Sequence, residues 1–165
     1  YCVWMASQQV KCIAFEPVNH EACSTNFALN KVQDRIALYK CSLGGKEEIV
    51  TFDVKKVVTS SSHISRDGSG ANKIQISTLD NIMKDTPLNI YDRILMKLDI
   101  EGMELEMLEG AREFITRHPN ISIIYEHTFS GNDEIIQKLR QFGQFEFRFL
   151  DEVNILAQKT GPSAS

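Results

Sequence analysis

Short apolar runs alternate with amphipathic stretches along most of this chain. "VKCIAF" at 10–15 halts at Glu16-Pro17, as a buried strand would. Asn19 is placed to cap a helix running to about Asn30, with Ala22, Cys23 and Phe27 along one side. "RIALYKCS" (35–42) and "EEIVTFDV" (47–54) predict a second and a third strand, joined through the turn "GGK" at 44–46. From Thr59 to Lys73 the chain is polar and rich in Ser and Gly, which predicts a mobile loop. That loop is a candidate lid, with His63 and Arg66 able to meet an acidic acceptor.

Strand character returns at "KIQIS" (73–77), and Ser77 with Asp80 fits a capping box opening a short helix through Met83. "RILMKLD" (93–99) predicts a strand. A single helix then follows from about Met103 to Arg117, its face made by Met107, Leu108, Ala111, Phe114 and Ile115 and its end set by Pro119. "ISIIYE" (121–126) reads as a strand, and Asn132 opens a helix buried through Ile135, Ile136, Leu139 and Phe142. "FEFRFL" (145–150) and "VNILAQ" (153–158) flank Asp151-Glu152 as an antiparallel hairpin would. Residues 159–165 are expected to form a disordered tail.

Strands alternating with helices and ending in a hairpin predict an α/β sandwich, its sheet mostly parallel with an antiparallel end. A chain of 165 residues fits one domain, taken here as 1–158. Composition adds little: 42% hydrophobic and 24% charged residues are ordinary for a globular protein. The net charge of −4 argues against a nucleic-acid backbone or an anionic membrane as partner. No apolar run is long enough to span a bilayer, and the first residues do not read as a secretion signal. Cys2, Cys12, Cys23 and Cys41 show no Cys-x-x-Cys spacing, which points to free thiols in a reducing, cytoplasmic compartment and to no metal site.

Ligands of an open parallel sheet bind outside the carboxyl ends of its strands. Three strands here end in acids: Glu16, then Asp99 with Glu101, then Glu126 with His127 beside it. One such acid has a plain electrostatic explanation, because carboxylates near helix N-termini gain about 0.3–1 kcal/mol. Three at one sheet edge form a pattern. Glu16 suits the two ribose hydroxyls of a nucleotide, whose glycine loop would lie about 20 residues earlier. Counting back passes Tyr1, so the first strand and that loop are expected upstream, with "YCVWMASQQ" as the rest of the first helix.

"IAFEP" (13–17), "NFALNK" (26–31), "STLD" (77–80), "MKLDIEGMELEMLEGA" (96–111) and "IIYEH" (123–127) stand in an order that resembles the FkbM-type S-adenosylmethionine-dependent methyltransferases over residues 1 to about 127. The resemblance implies a class I methyltransferase fold, a Rossmann-like three-layer sandwich of strand order 3-2-1-4-5-7-6, whose first strand this chain lacks. It implies O-methylation of a small molecule or sugar, with S-adenosyl-L-methionine as cofactor. Glu16 with Pro17 would hold the ribose, Cys41 and Ser42 would end the next strand near the adenine, and Asp99 would face the sulfonium and acceptor. Glu101 and Gly102 would shape the turn, Gly102 letting the backbone pass close to the ligand, and Glu126 and His127 would line the acceptor side.

Methyl transfer is an in-line displacement, and a hydroxyl acceptor needs a proton acceptor nearby. Histidine's ordinary pKa of about 6.5 suits His127 to that task, while Asp99 and Glu126 are rivals. Two other readings stay open: a dinucleotide-dependent oxidoreductase, which Glu16 would also serve, and a methyltransferase-like domain that binds without catalysing.

Overall fold

A computed structural model of the chain describes residues 1–52, 72–86, 88–89, 92–100, 102–126 and 132–162. The expected lid at 59–73 falls outside the described residues, save its last two positions, which are strand. The chain divides into two compact units. The first holds Tyr1–Leu43 with the described parts of 47–52 and 72–76, and the second holds 44–46 and the described residues from Ser77 onward.

In the first unit, α1 (Cys2–Ser7) leads into β1 (Cys12–Phe15), α2 (His20–Leu29), a 3-10 turn at Gln33–Arg35 and β2 (Ile36–Tyr39). β1 and β2 pair in parallel, from Cys12 opposite Ile36 to Phe15 opposite Tyr39. Parallel neighbours need a crossover, and α2 supplies it. Ala6, Phe27, Val32 and Ile36 form the core beneath, with Cys2, Val3, Cys12, Ala14, Cys23 and Leu38 packed around them. Arg35 Nη1 donates to the Ala6 carbonyl at 3.1 Å, tying α1 to this core. Of the expected α2 face, Phe27 is buried and Cys23 half-buried, but Ala22 is exposed. Cys23 and Phe27 are four apart and share a stripe, whereas Ala22 stands one step round the helix. Asn19 occupies the cap position without a side-chain capping bond, and Glu16 accepts from the Val18 and Asn19 amides of the turn that leads into the helix.

The expected strand at 35–42 is two strands. β2 stops at Tyr39, and β3 (Ser42–Leu43) departs to join β4 (Glu48–Phe52) and β5 (Asn72–Ser77) in the order β3-β5-β4. β4 and β5 are antiparallel, from Glu48 opposite Ile76 to Phe52 opposite Asn72, and Val50, Ile74 and Ile76 are buried.

The second unit runs α3 (Leu79–Met83), β6 (Ile94–Leu98), α4 (Glu104–Glu109), α5 (Arg112–Arg117), β7 (Ile121–Glu126), α6 (Asn132–Arg140), β8 (Gln144–Phe149) and β9 (Asn154–Gly161). Its sheet order is β6-β7-β9-β8, parallel at β6–β7 and antiparallel through the C-terminal hairpin. Within the second unit, β6-β7-β9-β8 carries the connectivity expected for strands 4-5-7-6. The sheets are thus mixed and the fold is α/β. β9 was expected to end at Gln158 but reaches Gly161, because Lys159 is buried and ordered: its Nζ donates to the Ile115 and Thr116 carbonyls at 2.7 and 2.8 Å, closing the end of α5.

The helix expected over 103–117 is broken at Gly110–Ala111, although Met107, Leu108, Ala111, Phe114 and Ile115 are all buried, as the pattern required. Two contacts explain the break. A Cβ on Gly110 would lie 2.0 Å from the Gly44 carbonyl oxygen, so the backbones meet where only glycine fits. Asp80, expected in a capping box with Ser77, instead accepts from the Glu113 and Phe114 amides at 3.0 and 2.8 Å and caps α5 from another helix. Thr78 caps α3, accepting from the Asn81 amide at 3.2 Å, and the Asp80 amide donates to the Gly110 carbonyl. Among the described residues no helix is long and apolar enough to cross a membrane.

Two glycines in the second unit should respond differently to a methyl group. Gly110→Ala forces two backbones apart and should cost about 3 kcal/mol in urea unfolding. Gly102 has φ +95° with open space around a Cβ, so Gly102→Ala should cost about 1–2 kcal/mol from strain alone, and Gly102→Asn less than that. Alkaline pH provides a second test. Burial pushes the Tyr125 hydroxyl up to about 12, while an unfolded tyrosine ionises near 10. Above about pH 10 the unfolded chain sheds a proton that the folded chain keeps, so stability should fall with rising pH, and Tyr125→Phe should flatten that fall. Lys159, pushed down by burial, has the opposite sign: below about pH 10.4 the unfolded chain holds the extra proton, and stability gains as pH rises towards that value.

Candidate functional site

Glu16 closes β1. Its amide donates to the Tyr39 carbonyl at 3.0 Å, continuing the parallel pairing one residue beyond the strand. Its Oε1 accepts from the Val18 and Asn19 amides at 2.9 and 2.8 Å, so one carboxylate oxygen fixes the turn that leads into α2. Pro17, half-buried, ends the strand between them. Cys41 and Ser42 do not end β2, as the sequence suggested. Lys40 and Cys41 form the bend after Tyr39, and Ser42 opens β3. Burial, with a smaller push from the Glu47 charge, raises the Cys41 thiol pKa, so it presents a neutral apolar surface.

In the second unit, parallel pairing places Leu98 opposite Tyr125, so the chain leaves both strands at one edge. Asp99 follows β6 and Glu126 is the last residue of β7. One ammonium joins them: Lys97 Nζ lies 3.8 Å from Asp99 Oδ2 and 3.7 Å from Glu126 Oε1. The same ammonium donates to Asn154 Oδ1 at 3.3 Å and to the Leu98 carbonyl at 3.4 Å. Asn154 stands opposite Glu126 in the β7–β9 register, which delivers its amide to this edge. Its Nδ2 donates to both Asp151 oxygens at 3.0 Å, while Asp151 Oδ1 also accepts the Val153 and Asn154 amides. Those bonds, led by the Val153 amide, hold the exposed Asp151 carboxyl below its usual range, and Lys97 adds a smaller pull.

Asp99 is more than half exposed, at 55% of its side chain, whereas Glu126 and Lys97 are at 30% and 20%. The cluster is therefore a wetted rim, where charges interact through a high effective dielectric. Gly102 turns the chain from this rim into α4 with φ +95°, and its amide donates to Glu104 Oε1 at 3.2 Å. The expected bend is present. Glu104 is itself almost fully buried, which its placement in a helix's first turn did not predict.

Of the predicted site residues, the second unit brings Asp99 and Glu126 together, and Gly102 serves their turn. Glu101 and His127 lie outside the described residues. Sequence reasoning missed Lys97, Asn154 and Asp151. Lys97 was signalled: a lysine interrupts the apolar run "RILMKLD" two residues before Asp99, hence on the same face of the strand. Asn154 and Asp151 required the register of the hairpin. Two shallow depressions of about 400 and 350 Å³ lie over α4 and α6 and beside α3 and α5, and neither includes Lys97, Asp99 or Glu126. Converging charge marks this edge. Among the described residues no group of three or more His, Cys, Asp or Glu is placed to hold a metal ion.

The sequence matches the model of the methyltransferase FkbM domain over residues 3–146, beyond the stretch where the resemblance was legible by eye. The structure is similar to that of a methyltransferase FkbM from Methylobacillus flagellatus KT, with a TM-score of 0.62 and 16% identity. That similarity covers 93% of this chain and 39% of the other, so the chain spans less than half the length of the structure it matches. A comparison with curated proteins finds no match. The order of β6-β7-β9-β8, the acid-bearing strand ends and the domain match agree, and the chain belongs to the FkbM methyltransferase family.

Proposed function

We propose that this protein transfers the methyl group of S-adenosyl-L-methionine to a hydroxyl oxygen of a small-molecule or sugar acceptor. The observation that carries the reading is the pairing of Asp99 with Glu126 at the carboxyl edge of β6 and β7 in a chain of this family. Glu16 takes the ribose: both local amides bond its Oε1, which leaves Oε2 to accept the ribose hydroxyls. Pro17 supports that turn, and Cys41 and Ser42 line the adenine with one apolar and one polar group. Asp99 faces the sulfonium and the acceptor. Glu101, Gly102, Glu126 and His127 border the acceptor.

S-adenosylmethionine, when bound, supplies an electrophilic methyl carbon on a cationic sulfur. Glu16 and Asp99 would hold it by its ribose and beside its sulfonium, and it would supply that methyl to the acceptor oxygen, departing as the neutral thioether. The hydroxyl proton goes to a base at the rim, for which Glu126, Asp99 and His127 are the candidates. Alignment supplies much of the rate in such a displacement, and rigid strand ends are suited to providing it. The four cysteines are free thiols, which accords with a reducing, cytoplasmic setting.

Calorimetric titration with S-adenosylmethionine and with NAD tests the reading: the first should bind and the second should not. Glu16→Gln keeps an oxygen for the Val18 and Asn19 amides but removes the charge that strengthens bonds from ribose hydroxyls. Donor affinity should fall about tenfold with the circular dichroism spectrum unchanged. Unchanged affinity would remove Glu16 from the ribose, and binding of NAD alone would move the chain to hydride chemistry.

A further inference from the structure

Lys97 is a costly residue to place where it is. It interrupts an apolar strand, its side chain is four-fifths covered, and its ammonium is held by groups from three places in the fold. Asp99 comes from the end of β6, Glu126 from the end of β7, and Asn154 from the start of β9. Asn154 is in turn clamped by Asp151 in the hairpin turn, so the ammonium has a fixed seat. A tie between strands does not require a cation, since an amide or hydroxyl could bridge Asn154 and the Leu98 carbonyl. What the ammonium adds is charge. Asp99, Glu126 and Lys97 together carry one net negative charge, and among the described residues the exposed Asp151 also feels the Lys97 charge.

We infer that Lys97 is a positioning residue whose ammonium offsets one of the two carboxylate charges beside the donor sulfonium, holding the field there at the level transfer requires. The inference rests on the donor site proposed above. A sulfonium is cationic before transfer and neutral after it, so its positive charge drains away in the transition state. Two uncompensated carboxylates would stabilise the starting cation more than the transition state and would raise the barrier by that difference. One net negative charge balances the donor without over-binding it. Lys97 touches neither methyl group nor acceptor in this scheme; it acts through Asp99 and Glu126.

The test compares two ligands that differ in that charge. S-adenosylmethionine carries the sulfonium, and S-adenosylhomocysteine has a neutral thioether in its place. Both are titrated calorimetrically into the full chain and into Lys97→Met and Lys97→Arg. Lys97→Met should increase the preference for the sulfonium over the thioether about 3- to 10-fold, and Lys97→Arg, which keeps the charge, should retain the wild-type ratio. If Lys97→Met weakens both ligands by one factor, or leaves their ratio unchanged, Lys97 is only a strand tie and the inference falls. Should that variant fail to fold, Lys97→Gln removes the same charge with a polar side chain and is read the same way. Should the wild-type chain bind neither ligand, the donor reading itself fails and takes this inference with it, an outcome distinct from an unchanged ratio.

Discussion

The parallel pairing of β6 with β7 governs the second unit. Two parallel strands leave their sheet at the same edge, so Asp99, just past β6, and Glu126, the last residue of β7, are neighbours by topology rather than by attraction. The same pairing obliges the chain to travel back along one face of the sheet, and the buried stripe of Met107, Leu108, Ala111, Phe114 and Ile115 is the part of that return path that leaves water. Neither consequence is optional once the register is set. Asp80, Thr78 and Gly110 then adapt the return path to its surroundings: the Gly44 carbonyl lies so close to Gly110 that no side chain fits there, and a carboxylate from α3 receives the amides where the helix restarts. Such a carboxylate cap is worth about 0.5–2 kcal/mol to the helix it starts.

Topology that gathers carboxylates also creates a problem. Like charges held side by side repel, though water at the rim weakens that repulsion. The molecule meets this in two ways. Asp99 is left more than half in solvent, and Glu126 and Asp99 share a cation anchored from β9. The separations of 3.7 and 3.8 Å are those of ion pairs without short hydrogen bonds, so the contribution to stability is small, within the ~0–1 kcal/mol typical of exposed pairs. The cluster thus ties the ends of β6, β7 and β9 together through weak, long-range contacts.

Much of this was legible from residue order. The strands at 121–126, the helix opening at Asn132 and the hairpin around Asp151-Glu152 stand where periodicity placed them, because a period of two or 3.6 is imposed by one buried face and survives in the sequence. The break at Gly110 was not legible. It arises from the approach of Gly44, more than sixty residues earlier, and the helical stripe continues through it undisturbed. Asp80 shows a related limit: Ser77 and Asp80 have capping-box spacing, but spacing cannot reveal that another helix end lies nearer. At the site, strand ends identified Asp99 and Glu126, while Lys97 hid in a run read only for its apolar content. Ala22 and the split between Tyr39 and Ser42 were misread for the opposite reason, a weak pattern extended too far.

Residues 97–110 show why one segment could identify a family when the solved structure it resembles shares only 16% of its residues overall. Lys97 and Asp99 alternate with the buried Leu98, so chemistry and core interleave at single-residue spacing. Gly102 supplies a positive φ, Glu104 receives its amide from within the protein, Met107 and Leu108 enter the core, and Gly110 meets a second backbone. Almost every position answers to a separate physical demand, and few residue types satisfy each. A surface helix has no such density of demands, because many polar residues solvate an exposed face equally well. Sequence memory is strongest where backbone geometry, burial and charge constrain adjacent residues at once, and in this chain that place is also the edge where β6 delivers its carboxylate.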